Sequence, residues 1–170
     1  MYKAREEENV RMEVDIHLET TGKTFLHLAV EHKAPKIVQF LIFDNEDDPN
    51  VLTHNTQMSA LHIAVSRTLP AIIELLLLCK RTQINLVSPL HGTPLHTACK
   101  AGHVKVVQQL LLFGASIAIL SPQNKLPKDV AANSRIEALI EKYEQRLLWT
   151  QTTQGSEEEE EKKIDQNQRR

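Results

Sequence analysis

The side chains able to ionise, ligate or attack in this chain include eight histidines and two cysteines, Cys79 and Cys99. His96, Cys99 and His103 stand at i, i+3 and i+7, ligand types and a helical spacing that suit zinc. Cys99 beside a histidine has the makings of an activated nucleophile. The acids Asp44, Glu46, Asp47 and Asp48 have the charge to attract a cation. Each feature has a plainer reading. Gly102 is expected to end a helix before His103, which breaks the shared ligand face. The acidic run lacks the central glycine and closing glutamate of a calcium loop. A free cysteine in a Leu/Val-rich segment is a small buried hydrophobe. No glycine-rich phosphate loop, nucleophile elbow or paired-carboxylate site occurs. The residue types therefore point away from an enzyme, and neither a metal nor a cofactor is expected.

The elements that would hold these residues follow from composition and period. Hydrophobic residues make up 41% and aromatics only 4% of 170 residues, so a core exists and is built from Leu, Ile, Val and Ala. Two cysteines exclude a disulfide framework. The longest apolar stretch, 69–79, is interrupted by Glu74 and falls well short of the about 20 residues a membrane span needs. The first thirteen residues are polar and acid-rich rather than leader-like, which fits a cytoplasmic or nuclear chain. Net charge is −2, and it resides in residues 150–170, with six acids against four bases. The remaining 149 residues are neutral but polarised. Residues 75–128 hold no acid and six bases, namely Lys80, Arg81, Lys100, Lys105, Lys125 and Lys128. Without an aromatic platform this is a poor nucleic-acid footprint, whereas an electropositive patch would steer an acidic protein partner.

Three segments repeat. GKTFLHLAVEHKAPKIVQFLI begins at Gly22, MSALHIAVSRTLPAIIELLLL at Met58 and GTPLHTACKAGHVKVVQQLLL at Gly92. Their Leu-His pairs, Leu26-His27, Leu61-His62 and Leu95-His96, are 35 and 34 residues apart, and Lys128-Asp129 takes that place after 33 more. Thr24, Ser59 and Thr93 precede each pair by two, where a hydroxyl serves the free amides opening a helix. Ala29, Ala64 and Ala98 permit close helix approach. Ile37, Val38 and Leu41 recur as Ile72, Ile73 and Leu76 and as Val106, Val107 and Leu110, an i, i+1, i+4 stripe expected to be buried. Pro35 and Pro70 suit the first position of the second helix, where a missing amide costs nothing. Ser134 with Glu137 reads as a capping box opening a last helix, whose face Ile136, Leu139, Ile140, Tyr143 and Leu147 closes the core.

On these motifs the chain resembles the ankyrin-repeat family over roughly residues 15–146, most closely in GTPLHTACKAGHVKVVQQLLLFGAS. The resemblance implies an all-α solenoid of stacked helix-turn-helix units with β-hairpin-like connectors. Departures are Lys33-Ala34 and Thr68-Leu69 where Gly102-His103 follows the family pattern, longer connectors in the first two units, and Phe25 in place of proline. Three regions follow: 1–21, an N-terminal extension or remnant of a preceding repeat; 22–149, three repeats plus a C-terminal capping repeat; and 150–170, an acidic tail expected to be disordered. Val10, Met12, Val14, Ile16 and Leu18 alternate with polar residues as in a strand.

The resemblance also implies a function and a place for it. Ankyrin repeats bind protein partners through connector tips and exposed first-helix positions. The matching first-helix residues are Glu31, His32, Ser66, Arg67, Lys100 and Ala101; the connector residues are Thr20, Thr21, Lys23, Thr56, Gln57, Leu90 and His91. Leu90, apolar on a polar tip, reads either as an anchor or as packing on a neighbouring connector. The expected function is a non-catalytic interaction module: adaptor, scaffold or inhibitor. The alternative is the repeat segment of a larger protein whose effector domain, channel, lipid-binding or catalytic, lies elsewhere. The run Glu157–Glu161 is also a candidate for intramolecular docking on the basic side.

Overall fold

A computed structural model describes residues 20–149, and the alternating segment Val10–Leu18 and the tail 150–170 lie outside the described residues. Six α-helices form three antiparallel pairs: α1 (Phe25–Glu31) with α2 (Pro35–Phe43), α3 (Ala60–Ser66) with α4 (Pro70–Leu78), and α5 (Pro94–Ala101) with α6 (Val104–Leu112). A 3-10 turn, Lys128–Val130, stands where a fourth first helix belongs, and helix α7 follows over 134–149. First helices stack on first helices, α1 on α3 on α5, and α2 packs on α4. The expected all-α solenoid is the observed architecture.

Local chemistry sets the helix boundaries. Thr24, Ser59 and Thr93 are the N-caps of α1, α3 and α5, each hydroxyl accepting the backbone N–H of the histidine three residues on. Pro35 and Pro70 open α2 and α4 at their first positions. The last helix departs from the sequence reading. Asn133 caps it, its Oδ1 accepting the Ile136 N–H at 3.0 Å, so Ser134 lies inside the helix. Both residues are good caps, and the backbone chose the earlier one. Each first helix turns into the second through a residue with positive φ: Lys33 at 54°, Thr68 at 54° and Gly102 at 77°. Only the third unit places there the glycine that this conformation favours.

The core is one aliphatic cluster running through the stack, with Leu26, Leu61 and Leu95 from the first helices and Val38, Ile73 and Val107 from the second. Ala29, Ala64 and Ala98 are buried between paired helices, as their size requires. Ile136 and Ile140 of α7 join the cluster, with Leu139 and Tyr143 packed at its margin, whereas Leu147 is exposed. One member of the expected stripe also differs: Ile37 is exposed while Ile72 and Val106 are buried.

The connectors are turns rather than hairpins. Among the described residues there is no strand, and a single antiparallel bridge, Ser88 with Gly92, marks the third connector. The acidic connector 44–50 is fastened to the next unit. The Arg81 guanidinium donates to the Glu46 carbonyl at 2.6 Å and to the Ile42 carbonyl at the end of α2. Asn50 completes the clip, donating to the Arg81 carbonyl at 2.8 Å and accepting the Gln83 N–H at 2.7 Å.

Candidate protein-interaction groove

Three imidazoles fix the geometry of the connector side. In each unit the N-cap backbone N–H donates to the histidine Nδ1, at 3.0 Å for His27, 3.4 Å for His62 and 3.2 Å for His96. The Nε2 atoms meet carbonyls of the following connector: Val51 at 3.1 Å, Gly92 at 2.9 Å and Lys125 at 2.9 Å. A carbonyl only accepts, so Nε2 carries the proton, and Nδ1 must be bare to take the amide. The rings are therefore neutral. Burial is the main cause holding all three below the ordinary histidine range, with His62 lowered to about 4.

The histidines thus serve as struts, and the zinc and nucleophile readings of the sequence come apart. Both nitrogens of His96 are committed, and His103 Nε2 lies 2.7 Å from Thr68 Oγ1. Cys99 is buried, and burial pushes its thiol up to about 12, far from a thiolate at neutral pH. Among the described residues no group of three or more His, Cys, Asp or Glu side chains gathers as a metal site.

With connectors held by their carbonyls, a groove of about 650 Å³ opens between the third and fourth connectors and helix α5. Its lining includes Leu90 and His91 at one tip, Gln123 and Lys125 at the other, and Thr97, Lys100 and Ala101 on the helix. Four sequence-predicted residues, Leu90, His91, Lys100 and Ala101, are brought together here. Leu90 stands exposed, with its backbone N–H and that of His91 held by Ser88 Oγ at 3.3 and 3.2 Å. Asp129 is the acid of the lining, and its Oδ2 accepts the Leu126 N–H at 2.8 Å.

The other predicted positions lie outside this groove. Lys23 pairs with Glu31 at 2.8 Å, and Arg67 reaches the same carboxylate at 3.5 Å and the Glu31 carbonyl at 3.0 Å. These three knit the first two units together, although such surface pairs contribute only about 0–1 kcal/mol. Ser66 donates to the Ile63 carbonyl at 2.9 Å, and His32 caps the end of α1. Thr56 and Gln57 lie on the second connector, Thr56 Oγ1 within 2.6 Å of Thr53 Oγ1 and Gln57 Nε2 donating to the His54 carbonyl at 3.0 Å. Residues 20–21, expected on a connector, are helical, and the Thr21 carbonyl accepts the His54 N–H at 2.8 Å.

Nor do the six bases of 75–128 form one patch. Arg81 belongs to the clip, Lys128 pairs with Glu141, Lys80 and Lys105 are exposed outside the groove lining, and Lys100 and Lys125 reach the groove. Lys125 lines the groove but was not among the residues expected from the sequence, because the fourth unit has no Leu-His pair. The 33-residue offset carries Leu90 to Gln123 and Gly92 to Lys125, and would have found it.

Gly92 ties this connector down. It has φ 73°, donates to the Ser88 carbonyl at 3.0 Å, and accepts both the Ser88 N–H and His62 Nε2–H. A Cβ there would meet His96 Cγ and Ser121 Cβ at 3.0 Å. Gly92→Ala is therefore expected to destabilise the fold by about 2 kcal/mol, read from chemical denaturation, since the left-handed conformation alone costs a side chain about 1–2 kcal/mol.

The comparisons agree with this geometry. The family model for ankyrin repeats in three copies matches residues 7–88, 26–121 and 61–144. No curated protein sequence matches significantly. Among solved structures, the chain is similar to the crystal structure of the ankyrin repeat domain of Bcl-3, described as a unique member of the IkappaB protein family. The two share 25% identity and a TM-score of 0.66 over 70% of this chain. The match spans 51% of that chain, so the present sequence corresponds to about half of its length. Since 386 solved chains match, the fold by itself singles out no partner. From the recurring Thr/Ser-x-x-His struts through the stacked pairs to the matched residues, this chain belongs to the ankyrin-repeat family.

Proposed function

We propose that this chain is a non-catalytic adaptor, scaffold or inhibitor that holds an acidic segment of a protein partner in the groove between α5 and the third and fourth connectors. The observation that carries this reading is the convergence of Leu90, His91, Lys100 and Lys125 on one opening of about 650 Å³. Leu90 supplies an apolar anchor, and the two ammonium groups supply attraction for carboxylates. No helix among the described residues is long and apolar enough to cross a membrane, and membrane insertion plays no part in the proposal. A cytoplasmic or nuclear setting suits such a module, because Cys79 and Cys99 are both free thiols.

Affinity capture with the intact chain tests the site. A partner bound by the wild type should bind at least tenfold more weakly to a Lys100→Glu/His91→Ala variant, and normally to Lys36→Glu on α2. Equal loss with both variants, or with neither, rejects the groove. Association should slow as salt is raised, since exposed charges are screened beyond about 8–10 Å. The run Glu157–Glu161 carries the charge of the proposed ligand, so it competes for the groove. Deleting 150–170 is expected to strengthen binding at low salt and to have less effect at high salt. No change at low salt removes the competition.

A further inference from the structure

The first pair of helices exposes a surface that the later pairs bury. Ile37 is 54% exposed, whereas Ile72 and Val106 at the same repeat position are 2% and 3% exposed. Phe25 is 54% exposed, whereas Ala60 in its place is 0% exposed and Pro94 is buried. Phe40 is exposed, while its counterpart Leu75 packs against the core. In the second unit, whose helices α3 and α4 pack on α1 and α2, these positions are buried or packed against the core. In the first unit the same side is an apolar patch of Phe25, Ile37 and Phe40 with no described helix on it. The other end of the stack is built differently. Outward positions of α7 are Arg135, Glu137, Glu141, Lys142 and Glu144, all exposed. The α7 surface over 135–144 is charged, with Leu147, Leu148 and Trp149 exposed only at its end, whereas the first unit presents an apolar stacking face.

We infer that residues 1–19 of this chain cover the stacking face of the first repeat, standing in for a preceding repeat. Four observations single out this occupant. The family match begins at residue 7, thirteen residues before the first described one. The segment carries Val10, Met12, Val14, Ile16 and Leu18, enough apolar side chains to meet the three on the face. It runs directly into the first unit, where residues 20–21 are helical and the Thr21 carbonyl is held by the His54 N–H at 2.8 Å. Its length also suffices. Nineteen residues span about 28 Å even as a helix, against about 14 Å for the nine residues of α2. A second copy stacking head to tail would have to set the charged 135–144 surface of α7, with apolar side chains only at its end, on Ile37 and Phe40, which those charges oppose.

Thiol labelling in the full chain tests the proposal, because Cys79 and Cys99 are buried and give a quiet background. Ile37→Cys should react with a maleimide at least tenfold more slowly than Gln39→Cys, an exposed neighbour on the same helix. Adding Val14→Asp and Leu18→Asp to the Ile37→Cys chain should raise its rate to that of Gln39→Cys. Deleting 1–19 should in parallel speed amide exchange across 25–43 tenfold or more. Equal labelling of the two single-cysteine variants shows an open face and overturns the proposal. So does slow labelling that the two aspartates leave unchanged. Slow labelling that disappears on dilution, together with a concentration-dependent mass, assigns the face to a second copy and also overturns it.

Discussion

Acidification from neutral pH to about pH 4 should cost the fold about 3 kcal/mol through His62 alone. Burial holds the folded imidazole at about 4, whereas the unfolded one titrates near its ordinary 6.5. Between those values the unfolded chain binds a proton that the folded chain refuses, so stability is full above about 6.5 and drains away as pH falls toward 4. His27 and His96 are lowered in the same direction by burial and add to the loss. Urea titrations at stepped pH should show the unfolding free energy declining through this window. Against a total of about 5–15 kcal/mol for a natural domain, that is a large fraction. A flat profile between about pH 6.5 and 4.5 would sink the assignment of neutral, buried rings.

The second large effect is expected from His62→Ala at neutral pH, a loss of about 3 kcal/mol. His62 is fully buried, and truncation leaves a cavity, takes the Nδ1 acceptor from the Ser59 N–H and hydroxyl, and takes the Nε2 donor from Gly92. The Gly92 carbonyl keeps the Ser88 N–H, which moderates the cost. His32→Ala, at an exposed cap position, should stay within about 0.5 kcal/mol. The two expectations interlock. The alanine variant should also lose about 3 kcal/mol less on acidification than the wild type, because the group that refuses the proton is gone. An unaltered acid profile in His62→Ala would assign the pH dependence to other groups.

What could be read in the sequence was whatever depends on near neighbours. The Thr/Ser-x-x-His caps are four-residue chemistry, and all three formed as their spacing implies. The aliphatic stripe was legible because it answers to helix period, and it failed at Ile37, in the unit that has no described helix pair packed before it. Asn133 displaced Ser134 as a cap since adjacent residues of equal aptitude leave the choice to the loop. The groove was half legible. Leu90, His91, Lys100 and Ala101 follow the repeat register, whereas Lys125 lies in the unit where that register blurs. The Lys23–Glu31–Arg67 pairing was invisible, because Glu31 and Arg67 are 36 residues apart and meet only through stacking.

The struts reach their neighbours through main-chain carbonyls, and the residues supplying them are a valine, a glycine and a lysine. Any amino acid presents that oxygen, so at Val51 and Lys125 the bond itself asks nothing of the side chain on the far side, whereas Gly92 is kept to glycine by its φ of 73°. Attachment thus lies on main-chain atoms, which leaves the side chains at the connector tips to the recognition proposed above. A library that randomises Gln123, Lys125 and the tip around Leu90 should yield new binding preferences on an intact stack. A graft of one unit into another array should carry its histidine strut and leave the recipient's next connector to supply the oxygen.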